Sequence, residues 1–169
     1  MKQYTQDEID DLITCPKLIA EPPKKEMWLE RGSRRNNMPL ISEKGDREFY
    51  VYLRVNEDFP ENFSIGLDYV PKEVRGSICL LRCNGPHGEF VDNSETPHPH
   101  FLPHIHKAKP ENIASGLRAE RGGEVTSRYL SYLQALAYFL TAIHVINALE
   151  YFPNIGQLSL DLENEEQSS

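Results

Sequence analysis

Five of the six histidines in this chain of 169 residues fall within one stretch of twenty residues. The five are His87, His98, His100, His104 and His106. Histidine titrates near neutral pH without help from its surroundings, and its neutral imidazole ring is the commonest metal ligand in proteins. A cluster of this density therefore indicates acid–base catalysis or metal binding more strongly than it indicates a set of solvated surface side chains.

Two short segments must bring these side chains together. Residues two apart on a strand point to the same face, so His104 and His106 project together. His100 joins them if Pro103 does not introduce a bulge into the strand. His98 and His100 are secondary candidates beside this pair.

A second motif, formed by Arg82, Asn84 and His87, surrounds the end of the preceding predicted strand. Arg82 and Asn84 are two residues apart and share a face. If the two strands are neighbours in one sheet, His87 reaches the histidine pair across the sheet. The expected site is therefore two motifs that face each other, Arg82/Asn84/His87 and His104/His106.

Metal-free cleavage of RNA is the preferred hypothesis for this arrangement, and it requires no cofactor. Two close histidines can divide the roles of general base and general acid, which fall here to His104 and His106 together with His87. In this hypothesis Arg82 holds the charge of the phosphate, and Asn84 shapes the turn.

Metal binding is the alternative hypothesis, with Zn, Mn or Ni as the candidate ions. The imidazole ligands would be His104, His106, His87 and His100. A carboxylate ligand is available nearby in the sequence from Glu89, Asp92 or Glu95. A third hypothesis makes the chain a non-enzymatic interaction or accessory protein, and the residues leave all three open.

Hydrophobic patterning predicts a single α+β domain over residues 1–154, with an antiparallel sheet of four to five strands. Strands are expected at about residues 49–55, 63–69, 77–82 and 100–107, and the first three are joined by short turns that favour antiparallel pairing. Residues 20–46 are predicted to be irregular, with one or two short strands. Pro103 favours a sheet edge or a bulge for the last strand.

Three helices are predicted around this sheet. Thr5 and Glu8 form a capping-box pattern, which predicts a helix from about Gln6 to Thr14. A short helix is expected over Glu111–Glu120. The broad apolar stripe of Ser127–Leu149 predicts one long helix that covers the apolar face of the sheet.

The formal net charge is −8, and half of it comes from four acidic residues among the last nine. Residues 155–169 are therefore predicted to be an acidic tail that is free to bind a protein partner. The remaining charge of −4 excludes nucleic-acid binding through net charge, so contact with RNA needs a local basic patch. The densest basic stretch surrounds Trp28 and is either a solvated loop or such a patch. It contains Lys24, Lys25, Arg31, Arg34 and Arg35.

The three cysteines, Cys15, Cys79 and Cys83, have no paired spacing, which favours a reducing compartment. With no apolar signal region at the N-terminus, a cytoplasmic location without membrane association is expected. Cys79 and Cys83 would lie about 13 Å apart on a strand and are predicted to be buried small hydrophobes. No P-loop, GxGxxG, GxSxG or HExxH motif occurs, which leaves nucleotide-dependent, hydride-transfer and common hydrolase functions without support.

Three blocks in the middle of the chain resemble an uncharacterised bacterial family with FSIGL, LLRxNGPHG and HIH patterns. The blocks are Phe63-Ser64-Ile65-Gly66-Leu67, Leu80-Leu81-Arg82-Cys83-Asn84-Gly85-Pro86-His87-Gly88 and Pro103-His104-Ile105-His106-Lys107. The second and third blocks are also similar to TumE-type toxins of bacterial toxin–antitoxin pairs. Those toxins carry an Arg-x-Asp-Asn-x-Pro-His segment followed by a Pro-His-His-x-His segment.

This resemblance implies a small α+β domain that acts on RNA or blocks translation and is restrained by an antitoxin or another protein partner. It covers residues 60–108 and points to Arg82, Asn84, His87, His104 and His106. The chain departs from the toxin pattern where Cys83-Asn84 replaces the Asp-Asn pair. The resemblance therefore implies a toxin-like ribonuclease of a toxin–antitoxin or phage-defence module, or an accessory relative of one.

Overall fold

The structure, a computed structural model, describes residues 2–87 and 99–156. In these ranges eight strands form one sheet, and every strand pair is antiparallel. The strands are β1 (Lys17–Ile19), β2 (Trp28–Glu30), β3 (Ser33–Ser42), β4 (Glu48–Asn56), β5 (Phe63–Val70), β6 (Ile78–Asn84), β7 (His104–Lys107) and β8 (Gly123–Val125). The helices are α1 (Gln6–Thr14), α2 (Pro110–Ala114), α3 (Tyr132–Ala142) and α4 (Ala148–Tyr151), with one 3-10 turn at Pro99–Phe101.

The predicted mixture of helices and an antiparallel sheet is confirmed, but the sheet is larger than the four to five strands expected. The strand order is β1-β3-β4-β5-β6-β7-β8, and β2 also pairs with β3. The strands predicted from hydrophobic alternation correspond to β4, β5 and β6. The predicted helix Gln6–Thr14 is confirmed with its capping box, in which Thr5 and Glu8 bond each other's backbone.

The prediction that residues 20–46 are irregular was wrong for β3, which is ten residues long. Its buried positions include Ser33 and Asn36, so hydrophobicity alone does not show the alternation. Asn36 is satisfied inside the fold because its side-chain amide exchanges hydrogen bonds with the backbone of Lys24. A buried polar side chain with backbone partners therefore replaces an apolar one.

The sheet has one apolar face and one polar face. On β4, Phe49, Val51 and Leu53 are buried in the hydrophobic core, while the residues between them point the other way. Helix α1 contacts β6, and helix α3 contacts β5 and β6, on the apolar side. The polar face is left to carry the candidate site.

The predicted single long helix over Ser127–Leu149 was also wrong. Ser131 caps the start of α3 by accepting from the backbone of Gln134, and α3 ends at Ala142. His144 has a left-handed backbone with φ of 56°, and the following residues hydrogen-bond with β1 through Lys17. The helix stops because the edge of β1 offers backbone partners that the apolar periodicity cannot reveal.

The strand predicted at about His100–Lys107 begins later than expected, because Pro99–Phe101 forms a 3-10 turn and β7 starts at His104. It is not an edge strand, because β8 pairs with its outer side. The helix predicted over Glu111–Glu120 is limited to α2, and the chain turns at Gly116 with φ of 68°.

Cys79 and Cys83 are both free thiols, and the predicted burial is confirmed for Cys83, whereas Cys79 is only partly buried. Ile155, the first residue of the predicted tail, is 6% exposed and belongs to the core. Residues 157–169 lie outside the described residues. Within the described residues, no helix combines the length and apolarity needed to cross a membrane.

Candidate functional site

Two rows of side chains cross the polar face of the sheet through direct cross-strand pairing. The first row runs from β3 to β7 and consists of Arg35, Arg54, Ser64, Asn84 and His104. The second row runs from β3 to β8 and consists of Asn37, Tyr52, Gly66, Arg82, His106 and Gly123. Adjacent strands are about 4.8 Å apart, so neighbours within a row can touch. The pairing of β6 with β7 brings the two predicted motifs face to face.

Three histidines converge at the β7 end of the first row. His104 opens β7, His100 lies in the 3-10 turn, and His87 follows β6. The His87 backbone N–H donates to the His100 carbonyl at 2.7 Å, which ties the two segments together. The three ring centroids are 4.7–4.9 Å apart, and one ring nitrogen from each residue lies within 4.8 Å of the others. We call these three residues the histidine triad.

Asn84 holds two members of the triad in place. Its amide nitrogen is 3.2 Å from His87 Nε2 and 3.3 Å from His104 Nε2, and its amide oxygen accepts from the Ser64 hydroxyl at 2.8 Å. An amide nitrogen can only donate, so both Nε2 atoms act as acceptors. Two imidazole lone pairs therefore point at a single location beside Asn84.

The backbone around His104 fixes the same tautomer. His104 Nδ1 lies 2.7 Å from the Leu102 carbonyl, which can only accept, so Nδ1 carries the proton and Nε2 carries the lone pair in the neutral ring. Tyr129 is buried, and its hydroxyl lies 2.8 Å from the His104 carbonyl and 3.1 Å from the Asn84 carbonyl. The tyrosine thereby fastens β6 to β7 directly behind the triad.

His106 lies beside the triad and is not one of its three members. Its ring centroid is 5.0 Å from that of His104 and 6.0 Å from that of His100. Its Nδ1 donates to the Glu120 carbonyl at 3.1 Å, and within the described residues its buried Nε2 has no hydrogen-bond partner. The Glu120 carboxylate is buried and accepts from Arg118 at 2.6 Å, with Arg82 at 3.6 Å.

Burial and positive neighbours keep two of these histidines neutral. Burial lowers the pKa of His87 to about 4, reinforced by the other histidines and by Arg54 and Arg82. Burial likewise lowers the pKa of His106 to about 4, reinforced mainly by Arg82. Both rings are therefore neutral at pH 7, the form in which an imidazole can bind a metal ion.

Gly123 makes room for the two histidines on β7. A Cβ atom at this position would lie 2.9 Å from His106 Cε1 and 3.1 Å from His104 Cδ2. Gly66 serves the second row in the same way, because a Cβ there would overlap the Tyr52 ring. The absence of a side chain at these positions lets the larger rings pack against the backbone.

No family model, curated protein or solved structure matches this chain. The family resemblance of the three sequence blocks therefore stays a prediction. The function has to be inferred from the geometry of the site.

The remaining predicted site residues are dispersed or lie elsewhere. His98, Glu89, Asp92 and Glu95 fall outside the described residues. The predicted basic stretch is divided: Lys24, Lys25 and Arg31 are exposed, Arg34 pairs with Glu57, and Arg35 lies in the first row. Lys24 Nζ lies 4.7 Å from the centre of the Trp28 ring.

Three residues beside the site were not predicted from the sequence: Glu120, Tyr129 and Arg54. The alternation of β4 identifies Arg54 as pointing to the polar face, but only the register places it opposite Arg35 and Ser64. Glu120 lies in a segment predicted to be helical, and Tyr129 in the apolar stripe of a helix. Their roles depend on long-range contacts for which the local pattern carries no signal.

Proposed function

We propose that this protein binds a divalent metal ion through His87, His100 and His104 and uses it to activate a water molecule. The observation that carries the proposal is the convergence of one ring nitrogen from each histidine to within 4.8 Å. In a tetrahedral site with bonds of about 2.1 Å, ligand nitrogens are about 3.4 Å apart. The imidazole rings would have to turn towards one another to close that difference.

The surroundings of the triad support metal ligation. Ligating histidines usually donate their second ring nitrogen to a carbonyl or carboxylate, which fixes the tautomer. The contact from His104 Nδ1 to the Leu102 carbonyl has this form and leaves Nε2 available. A metal ion would displace the contacts that Asn84 makes with the two Nε2 atoms, and those contacts are neutral hydrogen bonds.

The ligand set also indicates which ion and which chemistry. Three imidazole nitrogens suit Zn or Ni better than Mn, which prefers oxygen ligands. Three protein ligands around a tetrahedral ion leave a fourth position for water, as in catalytic rather than structural zinc sites. Zinc lowers the pKa of such a water to about 7, which yields hydroxide near neutral pH. We therefore favour a hydrolytic function.

Zinc uptake by the purified full-length chain tests the proposal. After removal of metal with a chelator and dialysis against zinc, we expect one zinc ion per chain in the wild type and less than a tenth of that in His104→Ala. His144→Asn is the matched control, because His144 is exposed and far along the chain from the triad. Equal zinc contents in wild type and His104→Ala would refute the site.

Zinc-dependent hydrolysis of a model ester tests whether the bound metal ion activates water. Zinc-loaded wild type should hydrolyse the simple ester p-nitrophenyl acetate faster than the chelated protein, and His104→Ala should show no such difference. A wild-type protein that binds one zinc ion without any zinc-dependent hydrolysis would limit the function to metal binding.

Metal-free cleavage of RNA by a toxin-like protein is the second candidate. It is favoured by the closeness of His104 and His106, whose ring centroids are 5.0 Å apart, with Arg82 directly opposite His106. With the pKa of His87 and of His106 near 4, neither ring is an imidazolium at neutral pH, so neither carries the second proton that a general acid would donate. Growth arrest on expression in bacteria, relieved by His106→Ala, together with RNA cleavage by the chelated protein, would favour this candidate over the metal site.

A further inference from the structure

Arginine side chains bring several positive charges to the polar face beside the triad. Arg35 and Arg54 are direct cross-strand partners on β3 and β4, and Arg82 lies in the neighbouring row on β6. Like charges directly opposite each other destabilise a sheet. Burial lowers the pKa of Arg54, and the charges of Arg35 and Arg82 lower it further. Three guanidinium groups thus share one face at an electrostatic cost.

The acceptors around Arg54 are neutral. It donates to the Ser33 hydroxyl at 3.4 Å and to the Asn62 side-chain oxygen at 3.1 Å. No carboxylate lies within ion-pair distance of Arg54 in residues 2–87 and 99–156. Its charge is therefore held in position by dipoles and is not neutralised by an acidic side chain.

The other two guanidinium groups are only partly compensated. Arg35 Nε is 4.0 Å from a Glu30 oxygen, and Arg82 shares the single Glu120 carboxylate with Arg118. Among the described residues, the buried Nε atoms of Arg35 and Arg82 find no hydrogen-bond acceptor. Buried donors without acceptors are rare in folded proteins, so we expect a water molecule or a ligand to supply the acceptor for each.

These charges extend to the histidine triad. Ser64 separates Arg54 from Asn84 in the first row, and Gly66 precedes Arg82 in the second, so the β5 positions are small. Arg82 lies directly opposite His106, whose ring centroid is 5.0 Å from that of His104. An anion placed beside the triad would therefore meet guanidinium groups from β4 and β6.

We propose that this face binds a phosphate group next to the metal ion, with Arg54 and Arg82 as its cationic partners and Arg35 adding attraction. The inference rests on the proposed function and specifies its ligands as phosphate-bearing compounds. Three neutral imidazole ligands would supply no negative charge to a divalent ion, and this favours an anion on the same face. A carboxylate fills one guanidinium fork, whereas a phosphate group has enough oxygens to meet two guanidinium groups and the metal ion.

Phosphate binding can be measured by calorimetry on the zinc-loaded full-length chain at low ionic strength, where charge interactions are least screened. The probes are inorganic phosphate, adenosine monophosphate and a short single-stranded RNA, and the tightest of the three identifies the source of the phosphate group. We expect Arg54→Gln to weaken binding of every phosphate probe that the wild type binds by about tenfold or more, because a charge-assisted hydrogen bond is lost.

Arg34→Gln is the matched control. Arg34 is adjacent to Arg35 on β3 but points to the opposite face, where it pairs with Glu57. An exposed pair of this kind contributes little, so we expect phosphate binding within about twofold of wild type. If Arg34→Gln and Arg54→Gln weaken phosphate binding equally, the effect comes from the net charge of the protein alone, and the inference is overturned.

Zinc content measured on the same samples separates this inference from the proposed function. Arg54→Gln should keep its full zinc content. A wild type that holds one zinc ion but binds none of the three probes overturns the phosphate site and leaves the metal site standing. A wild type that binds phosphate equally well with and without zinc overturns the placement of the phosphate beside the metal.

Discussion

Asn84 on β6 lies directly opposite His104 on β7, and its side-chain amide donates to His104 Nε2 at 3.3 Å. The same amide group donates to His87 Nε2 at 3.2 Å. One uncharged asparagine side chain thus orients two imidazole lone pairs towards the same location. Because the amide oxygen is bound by Ser64, the orientation of the amide is fixed as well.

Replacing this amide by a carboxylate should reverse the electrostatics of the triad. In Asn84→Asp, an anion takes the place of the donor and can accept from protonated rings. We expect the pKa of His87, which is about 4, to rise by about 1–3 units, because an opposite charge within 4–6 Å favours the charged form. Titration of the ring protons by NMR measures it, with the exposed Asn154→Asp as the control. An unchanged His87 pKa in Asn84→Asp would contradict the contact.

A methyl group at Gly123 should damage the site without unfolding the protein. The new Cβ would lie 2.9 Å from His106 Cε1 and 3.1 Å from His104 Cδ2, so at least one ring must move. We expect zinc affinity to fall by about tenfold or more in Gly123→Ala, a loss typical of disturbed ligand orientation. Gly156→Ala is the control, because its Cβ would meet only the flexible Leu149 side chain at 3.3 Å. Wild-type zinc affinity in Gly123→Ala would show that the rings are not constrained by β8.

The hydroxyl of Tyr129 should contribute measurably to stability. It is buried between the carbonyls of Asn84 and His104, which share its single proton, and its removal takes this donor away from both. We expect Tyr129→Phe to lower the free energy of unfolding by about 1–3 kcal/mol, measured by urea denaturation. Tyr151→Phe, on helix α4, serves as the reference. A Tyr129→Phe variant as stable as wild type would mean that the hydroxyl does not fasten β6 to β7.

Lys17 is a fully buried cation on the apolar side of the fold. Its Nζ donates to the carbonyls of Ile13 at 2.7 Å, Cys15 at 2.8 Å and Ile143 at 3.0 Å, which joins the ends of α1 and α3. Burial lowers the pKa of Lys17 from 10.5 to about 8. Between these two values the unfolded chain holds the proton that the folded chain has released. Stability from this residue therefore rises with pH across that window and is lowest below pH 8.

A comparison with Lys17→Met isolates this contribution, because other groups titrate in the same range. Burial raises the pKa of Cys79 and of Cys83 to about 12, so ionisation of these thiols in the unfolded chain lowers stability at high pH in both proteins. We expect the stability of wild type relative to Lys17→Met to increase by about 3 kcal/mol from pH 7 to pH 10.5. A difference that stays constant or shrinks as the pH rises would contradict the lowered Lys17 pKa.

The parts of the fold that depend on local sequence patterns could be predicted from the sequence. Alternation predicted β4, β5 and β6, and the Thr5–Glu8 capping box predicted α1. The prediction of one long C-terminal helix was wrong because the apolar periodicity continues through residues 143–147, where hydrogen bonds to β1 end the helix. Strand β3 was missed because Ser33 and Asn36 are buried polar residues with partners far away in the chain.

The candidate site could be predicted in part for the same reason. Two-residue periodicity identified His104 and His106 as neighbours, and the position of His87 just after the preceding strand identified it as a further member of the site. The sequence could not show that His100 belongs to the triad and that His106 lies outside it. The position of His100 depends on the 3-10 turn at Pro99–Phe101, and that of His106 depends on its contact with the Glu120 carbonyl. The opposition of Arg35 and Arg54 depends on strand register, which no single segment specifies.

The central claim is that His87, His100 and His104 hold a metal ion, and X-ray absorption at the zinc edge tests it most directly. For the zinc-loaded full-length protein we predict three imidazole nitrogens at about 2.0–2.1 Å and one further light atom from water or an anion. In His104→Ala the imidazole signal should be lost together with the bound zinc. A first shell containing sulfur at about 2.3 Å, or an imidazole signal unchanged in His104→Ala, would contradict the account.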